Sequence, residues 1–421
     1  MKRRIIGIEE HLPLAESLPL SLQHLTAMFG ATILVPILLG VDPAIALLMN
    51  GIGTLIYTWV TRGGIPAYLG SSFAFISPVL LVIQSYGGFQ HAQSGFIFFG
   101  LFFIAVSLVV SRWGIAWIDI VMPPAVMGSV VAIIGLELAP VAAQQAGLIH
   151  QSDASADTRV LKVSLFTLAV GVVASLYFRG FLRVIPVLLA VVAGTLLALY
   201  TGMVDTEPVI EASWIALPRF HTPVYDPRAI IIIAPACIVV LAEHISHLIV
   251  TAGITGKDLM RKPGLHLSLL GDGVSNLISG FAGSPPNTTY GENIGVMAIT
   301  RVYSVWVIRG AAVLAILFSL VGKISAAISI IPTAVMGGIT LLLYGVIAVQ
   351  GLRIFVEQKV DFSKNKNMVL GALTFVAGIS GANINIGVVQ LRGMALAAVV
   401  GMGLSLLLWI INRITGLEIN D

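Results

Sequence analysis

The chain has 421 residues, 57% of them hydrophobic and only 10% charged, and its mean hydropathy is +0.99. Soluble domains carry about 25% charged residues, so one large soluble core is excluded in favour of a chain that crosses a bilayer many times. The net charge of +3 is too small for a nucleic-acid binder, and a single cysteine, Cys237, excludes an intramolecular disulfide.

Lys2, Arg3 and Arg4 are followed by Glu9 and Glu10 rather than by an apolar run, so no cleavable signal peptide is expected. A bilayer core takes roughly 20 apolar residues per helix. Apolar stretches recur at 19–40, 43–61, 68–84, 94–111, 122–140, 160–178, 183–202, 229–253, 265–282, 288–300, 304–322, 331–349, 367–386 and 392–411, which predicts an all-α polytopic protein of 14 transmembrane segments. Two are odd. The third carries Gly70-Ser71-Ser72-Phe73-Ala74-Phe75-Ile76-Ser77-Pro78, and the tenth opens with Ser284-Pro285-Pro286-Asn287-Thr288-Thr289-Tyr290-Gly291-Glu292-Asn293. Irregular polar backbone at membrane depth is tolerated only where protein or a cavity surrounds it, and paired interruptions mark a transporter's site.

With the amino terminus inside, 17 of the 23 Lys and Arg fall on the cytoplasmic side and 6 outside. That bias obeys the positive-inside rule and places both termini in the cytoplasm. Pro123-Pro124-Ala125-Val126-Met127-Gly128 opens the fifth segment, and Pro332-Thr333-Ala334-Val335-Met336-Gly337 opens the twelfth, 209 residues later. Seven segments separate the copies. An odd number turns the second copy over, so two inverted repeats of seven segments are expected.

Ionisable groups at membrane depth cost about 2.5–3.5 kcal/mol each on insertion scales. Glu243 lies mid-segment within Glu243-His244-Ile245-Ser246-His247, and Glu292 lies in the irregular tenth segment. Glu243 and His247, four apart, share a helix face, while His244 points about 100° away. This face either looks into a cavity or ties helices together; two carboxylates on different helices favour the cavity. The cluster is not His-Glu-x-x-His, so no metal is expected. Asp272, flanked by Gly271 and Gly273, is either functional or a helix-start residue near the cytoplasmic surface. Asp119 and Glu137 read as interfacial, and Phe73 and Tyr290 as core or stacking aromatics. Low dielectric disfavours the charged form of a carboxyl, which suits it to carry a proton, and a carboxylate accepts hydrogen bonds from N–H groups. The pattern points to a neutral ligand with N–H donors, or to a cation, and away from an anion.

Glu292-Asn293-Ile294-Gly295-Val296-Met297-Ala298-Ile299-Thr300-Arg301 resembles the signature of the nucleobase–ascorbate transporter family, which begins with Gln, Glu or Pro, continues Asn-x-Gly and ends Thr-Arg/Lys/Gly. Gln23-His24 resembles that family's first-helix Gln-His pair, and the resemblance runs over essentially the full chain. It implies a core domain (15–112 and 228–322), a gate domain (122–205 and 331–413), and short antiparallel strands in segments 3 and 10. It also implies that Glu243 and Glu292 hydrogen-bond a nucleobase, with backbone amides at Phe73 and Gly291 and with Phe73, Tyr290 and Ala31 around the ring. His247 and His24 would serve proton coupling with the two carboxylates, and Thr340 and Tyr344 would be the gate's contacts with the core.

Glu at the first motif position is associated in this family with uracil. The resemblance therefore implies a uracil–proton symporter of a bacterial inner membrane, working by alternating access, without cofactor, as a homodimer through its gate domains. Asp272 resembles an acidic residue of the purine branch, which keeps a xanthine/purine–proton symporter as an alternative. An anion exchanger or channel on the same plan is a second, and an intramembrane enzyme built on the Glu-His-x-x-His cluster a third.

Overall fold

The structure is a computed structural model and describes residues 5–149, 157–179, 182, 185–386 and 389–416. The chain begins with α1 (Leu14–Leu38) and α2 (Pro43–Val60). The third apolar stretch then breaks into β1 (Leu69–Ser71), one 3₁₀ turn (Phe73–Phe75) and the half-length helix α3 (Ile76–Tyr86). There follow α4 (Phe89–Trp113), a short α5 (Ala116–Val121), α6 (Pro124–Gln145), α7 (Thr158–Tyr177), α8 (Pro186–Tyr200) and a short α9 (Glu207–Glu211). After α10 (Pro227–Thr255) and α11 (Leu265–Ala282), the tenth stretch breaks in the same way into β2 (Asn287–Thr289) and the half-length α12 (Gly291–Thr300). The chain closes with α13 (Val305–Ser319), a short α14 (Gly322–Ser329), α15 (Thr333–Glu357), α16 (Asn365–Ile379), β3 (Asn383–Ile386), β4 (Val389–Arg392) and α17 (Gly393–Thr415).

Among the described residues eight helices (α1, α2, α4, α6, α7, α10, α15 and α17) are long and apolar enough to cross a bilayer. Proline opens four of the apolar helices, α2, α6, α8 and α10. Pro43, Pro124, Pro186 and Pro227 sit in the first helical turn, where a missing N–H costs nothing. One stretch departs from its expected form. The thirteenth was expected to run 367–386 as one segment, but α16 stops at Ile379, and Asn383–Ile386 forms a hairpin strand with Asn383 opposite Arg392. Asn383, Ile384, Asn385 and Ile386 alternate with period 2, the pattern of a strand rather than of a helix.

The helices pack as two sets. α1, α2, α4, α10, α11 and α13 contact one another, and α6, α7, α8, α15, α16 and α17 do likewise. Within the second set α6 and α15 run antiparallel at very short range. A Cβ on Gly128 would overlap Phe355, one on Gly135 the Tyr344 carbonyl, and one on Gly337 the backbone of Gln145 and Ala146. Glycine permits this approach where lipid offers no hydrophobic drive between helices. In the first set Gly100, Gly273 and Gly280 bring α4 against α11 in the same manner.

β1 and β2 join the odd stretches. They pair antiparallel, Leu69 opposite Thr289, Gly70 opposite Thr288 and Ser71 opposite Asn287, and all six residues are buried. The Leu69 N–H reaches Thr54 Oγ1 on α2 at 2.9 Å, and Asn276 of α11 clamps Asn287 through its N–H and its carbonyl, each at 2.8 Å.

Gly351→Ala should cost about 1–3 kcal/mol by overpacking, because its Cβ would overlap Ala132 and the Gly128 carbonyl. Gly403→Ala, with open space around it, should leave the thermal unfolding midpoint in detergent unchanged or raised. At the head of α10, Asp226 accepts hydrogen bonds from the Arg228 guanidinium at 2.9 Å and lies 3.1 Å from His91 Nδ1. The Arg228 side chain holds this carboxyl below its ordinary 3.8, at about 2. A depressed carboxyl stabilises the fold above its unfolded value and loses that contribution as pH falls through the folded one. Asp226→Asn should therefore flatten the dependence of unfolding on pH between about 4 and 2, measured by acid titration.

Candidate functional site

A cavity of about 290 Å³ lies where the half-length helices meet α10 and α15. Phe73, Glu243, His247, Tyr290, Gly291 and Glu292 line one end of it. From there it runs along α10 as far as Ile254 and along α12 as far as Ala298, and it reaches α15 at Gln350, Arg353 and Glu357. The Arg353 side chain is 67% exposed and pairs with Glu357 at 2.7 Å, so this end is the mouth.

α10 contributes by register. Glu243, Ser246, His247, Val250 and Ile254 fall at spacings of three and four, one helical face, and all line the cavity. β2 hands the chain to α12, whose first turn carries Gly291 and Glu292. The opening turn of a helix leaves donors without intrahelical partners and carries partial positive charge, a setting that favours the Glu292 carboxylate. The 3₁₀ turn at Phe73 starts the other half-helix beside it. Among the described residues no ion pair reaches Glu243 or Glu292. The site thus offers two carboxylate acceptors and the N–H donors of two helix starts, with aromatic rings between.

The other expected residues take distinct places. His247 Nδ1 shares a hydrogen bond with Thr289 Oγ1 at 3.2 Å, and a Cβ on Gly291 would come within 3.3 Å of His247 Nε2. Tyr290 lines the cavity, while its hydroxyl donates to the Ser71 carbonyl at 2.6 Å and ties β2 to β1. His24 does not line this cavity. It is buried behind α12, where the Asn293 amide donates to its Nδ1 at 3.1 Å and to its carbonyl at 3.3 Å. Tyr344 meets Phe73 edge-to-face, with ring centroids 6.5 Å apart, so this contact crosses between the two helix sets. Thr340 is fully buried and bonds the Gly337 carbonyl of its own helix at 3.1 Å. Ala31 lies on α1, but its side chain falls outside the described residues.

Sequence reasoning missed what stands behind β2. His244 turns away from the cavity, as its 100° offset from Glu243 requires, and its Nδ1 lies 2.8 Å from Asp272 Oδ2. Its Nε2 meets Ser268 Oγ at 2.7 Å, which meets the Tyr57 hydroxyl at 2.6 Å. Asp272 also accepts from Asn276 at 2.8 Å and is fully buried in mid-α11, not at a helix start near a surface. The Glu-His-x-x-His residues therefore serve three places: Glu243 the cavity, His244 the buried pair, His247 the strand. The only signal for the His244–Asp272 pair was that both were ionisable groups at membrane depth.

The fold and site are those of a multi-pass membrane transporter rather than an enzyme. The sequence matches the Permease family over residues 15–387, and the chain belongs to that family. It is 55% identical to the uracil permease of Escherichia coli K12, across 98% of this chain and 96% of that one, and 55% identical to the uracil permease of Paenibacillus larvae, across 98% and 99%. In three dimensions it is similar to the transmembrane domain of a cyanobacterial bicarbonate transporter, BicA. There the TM-score is 0.65 at 16% identity, over 95% of this chain and 99% of that one, a likeness of fold.

Asp272→Ala would leave His244 Nδ1 buried with no acceptor beside it and should cost about 1–3 kcal/mol. The thermal unfolding midpoint in detergent checks this, and an unchanged midpoint would show the pair to be dispensable to the fold.

Proposed function

We propose that this permease imports uracil with a proton across a bacterial inner membrane by alternating access. The observation that carries the reading is the convergence of Glu243 and Glu292 on one cavity beside two helix starts. Uracil presents N–H donors and carbonyl acceptors in one plane; the carboxylates accept from the former, and the backbone N–H groups at Phe73 and Gly291 donate to the latter. Phe73 and Tyr290 cover the ring. Full-length likeness to two uracil permeases supports the same substrate. An anion would meet two carboxylates there, while the one cation lining the cavity, Arg353, stands at its mouth and pairs with Glu357, which argues against the anion exchange suggested by fold alone.

The chain crosses the membrane fourteen times in two inverted repeats. The packing supports this: exchanging the halves maps α2·α13 onto α4·α11 and α7·α8 onto α16·α17, while α6·α15 maps onto itself. α1–α4 with α10–α13 form the core, and α6–α8 with α15–α17 form the gate, through which two copies pair. With the termini in the cytoplasm the mouth at Arg353 faces the cytoplasm, and the core moves against the gate to expose the site on the other side. Glu243 carries the proton with Glu292 and His247, while His24 acts through Asn293. Asp272, committed to His244 behind β2, gives no support to a purine substrate.

Unlabelled uracil should displace radiolabelled uracil uptake, xanthine and ascorbate should not, and uptake should rise as external pH is lowered. Displacement by xanthine alone would move the chain to the purine branch, and uptake indifferent to pH would remove the proton. Glu243→Gln should weaken uracil binding roughly tenfold to a hundredfold, since a hydrogen bond to a charged group is worth about 1.5–3 kcal/mol; calorimetry on purified protein reads this directly.

A further inference from the structure

We infer that Ser77 and Glu137 form a latch that holds the cavity shut on the side away from its mouth, and that this hydrogen bond opens each time the site turns to that side. The inference rests on the alternating-access reading and not on the identity of the substrate.

Ser77 lies on α3, one helical turn beyond Phe73, and α3 packs on α4 and α10 of the first helix set. Glu137 lies on α6, in the second. The Ser77 hydroxyl donates to Glu137 Oε1 at 2.6 Å, a side-chain hydrogen bond that crosses between the sets. The other carboxylate oxygen is held by its own set: Glu137 Oε2 accepts the Met394 N–H at 2.8 Å, at the start of α17. Gly393 allows this, since its φ is +54° and a Cβ there would overlap the Glu137 carboxylate. A helix start also favours the negative charge. Glu137 is thus an anchored carboxylate that presents its free oxygen to the other set, where a hydrogen bond to charge is shorter and stronger than a neutral one.

Its level along the bundle decides its role. α6 runs antiparallel to α15, with Gly128 beside Phe355 near the mouth and Gly135 beside Tyr344. Glu137 stands nine residues past Gly128, about 13 Å along the axis. It therefore lies on the far side of the Phe73–Tyr344 contact from the mouth. The seam around it is tight: Leu81 and Ile232 on one side face Met394 and Ala395 on the other across a gap of about 10 Å³, too small to admit more than about one water. A ligand leaving that way would have to part α3 from α6. A hydrogen bond does not survive stretching from 2.6 Å to beyond about 3.5 Å, so a relative movement of about 1 Å breaks it.

The test places a reporter in the seam. Leu81→Cys, in a Cys237→Ser background, is exposed to a membrane-impermeant maleimide from the face that bears Arg392. Ser77→Ala should raise the labelling rate roughly tenfold, as expected for loss of a hydrogen bond to charge. Adding Glu137→Gln to Ser77→Ala should raise it no further than the larger single effect. An unchanged rate in Ser77→Ala overturns the latch, and so do single effects that multiply in the double variant. Ser77→Ala leaves the Glu137–Met394 bond in place, so it decides the matter alone if Glu137→Gln does not fold. Labelling needs no substrate. A protein that labels as expected but takes up no uracil keeps the latch and loses the substrate reading; one that takes up uracil with an unresponsive seam does the reverse.

Discussion

Nothing in a hydrocarbon core can hydrogen-bond a bare peptide group, so each interruption of a membrane helix has to find its partners within the protein. In this chain the pairing of β1 with β2 meets that demand. Leu69, Gly70 and Ser71 lie opposite Thr289, Thr288 and Asn287, the flanking Ser72 and Tyr290 N–H groups donate to the Pro286 and Tyr68 carbonyls, and the Leu69 N–H and both backbone groups of Asn287 are taken up by the Thr54 hydroxyl and the Asn276 amide. Only because the strands are satisfied can two helices begin in the middle of the protein. Their starts supply the donors and the partial positive charge that make carboxylates tolerable there. The cavity follows from the strand pair.

α10 divides its polar residues according to this arrangement. Glu243 and His244 are neighbours in sequence and part company in space, one into the cavity and one toward Asp272. The chain of contacts from Asp272 through His244 and Ser268 to Tyr57 joins α11, α10 and α2 behind the strands. His247 then touches Thr289 from the front. β2 is thereby braced on both sides, which fixes where α12 starts and so where Glu292 stands.

Much of this was legible in the sequence. Helices lie at the apolar stretches, since hydropathy and opening prolines are local signals; 265–282 coincides with α11 to the residue. The irregular stretches announced themselves by polarity at a depth that forbids it. Five features were not legible. The β3–β4 hairpin hides within an apolar run whose alternation spans only four residues. The His244–Asp272 pair and the Ser77–Glu137 bond join residues 28 and 60 positions apart, and no single-helix pattern encodes such a meeting. Arg353 counted only as a topological charge, because its place at the cavity mouth depends on how α15 crosses α10. His24 was legible as unusual but not as a support for Asn293, since burial behind α12 is set by packing alone.

The strand pair has a consequence for how such a chain is made. Leu69 and Thr289 are separated by 220 positions, about half the molecule. At synthesis rates of about 5–20 residues per second, β1 waits some ten to forty seconds inside the membrane before its partner is translated. During that interval its polar edge has neither water nor a strand to bond. The first half of the molecule is therefore an incomplete folding unit, and a ribosome stalled before β2 leaves behind a segment marked for chaperones or proteolysis. The two halves need one another to be born as well as to work.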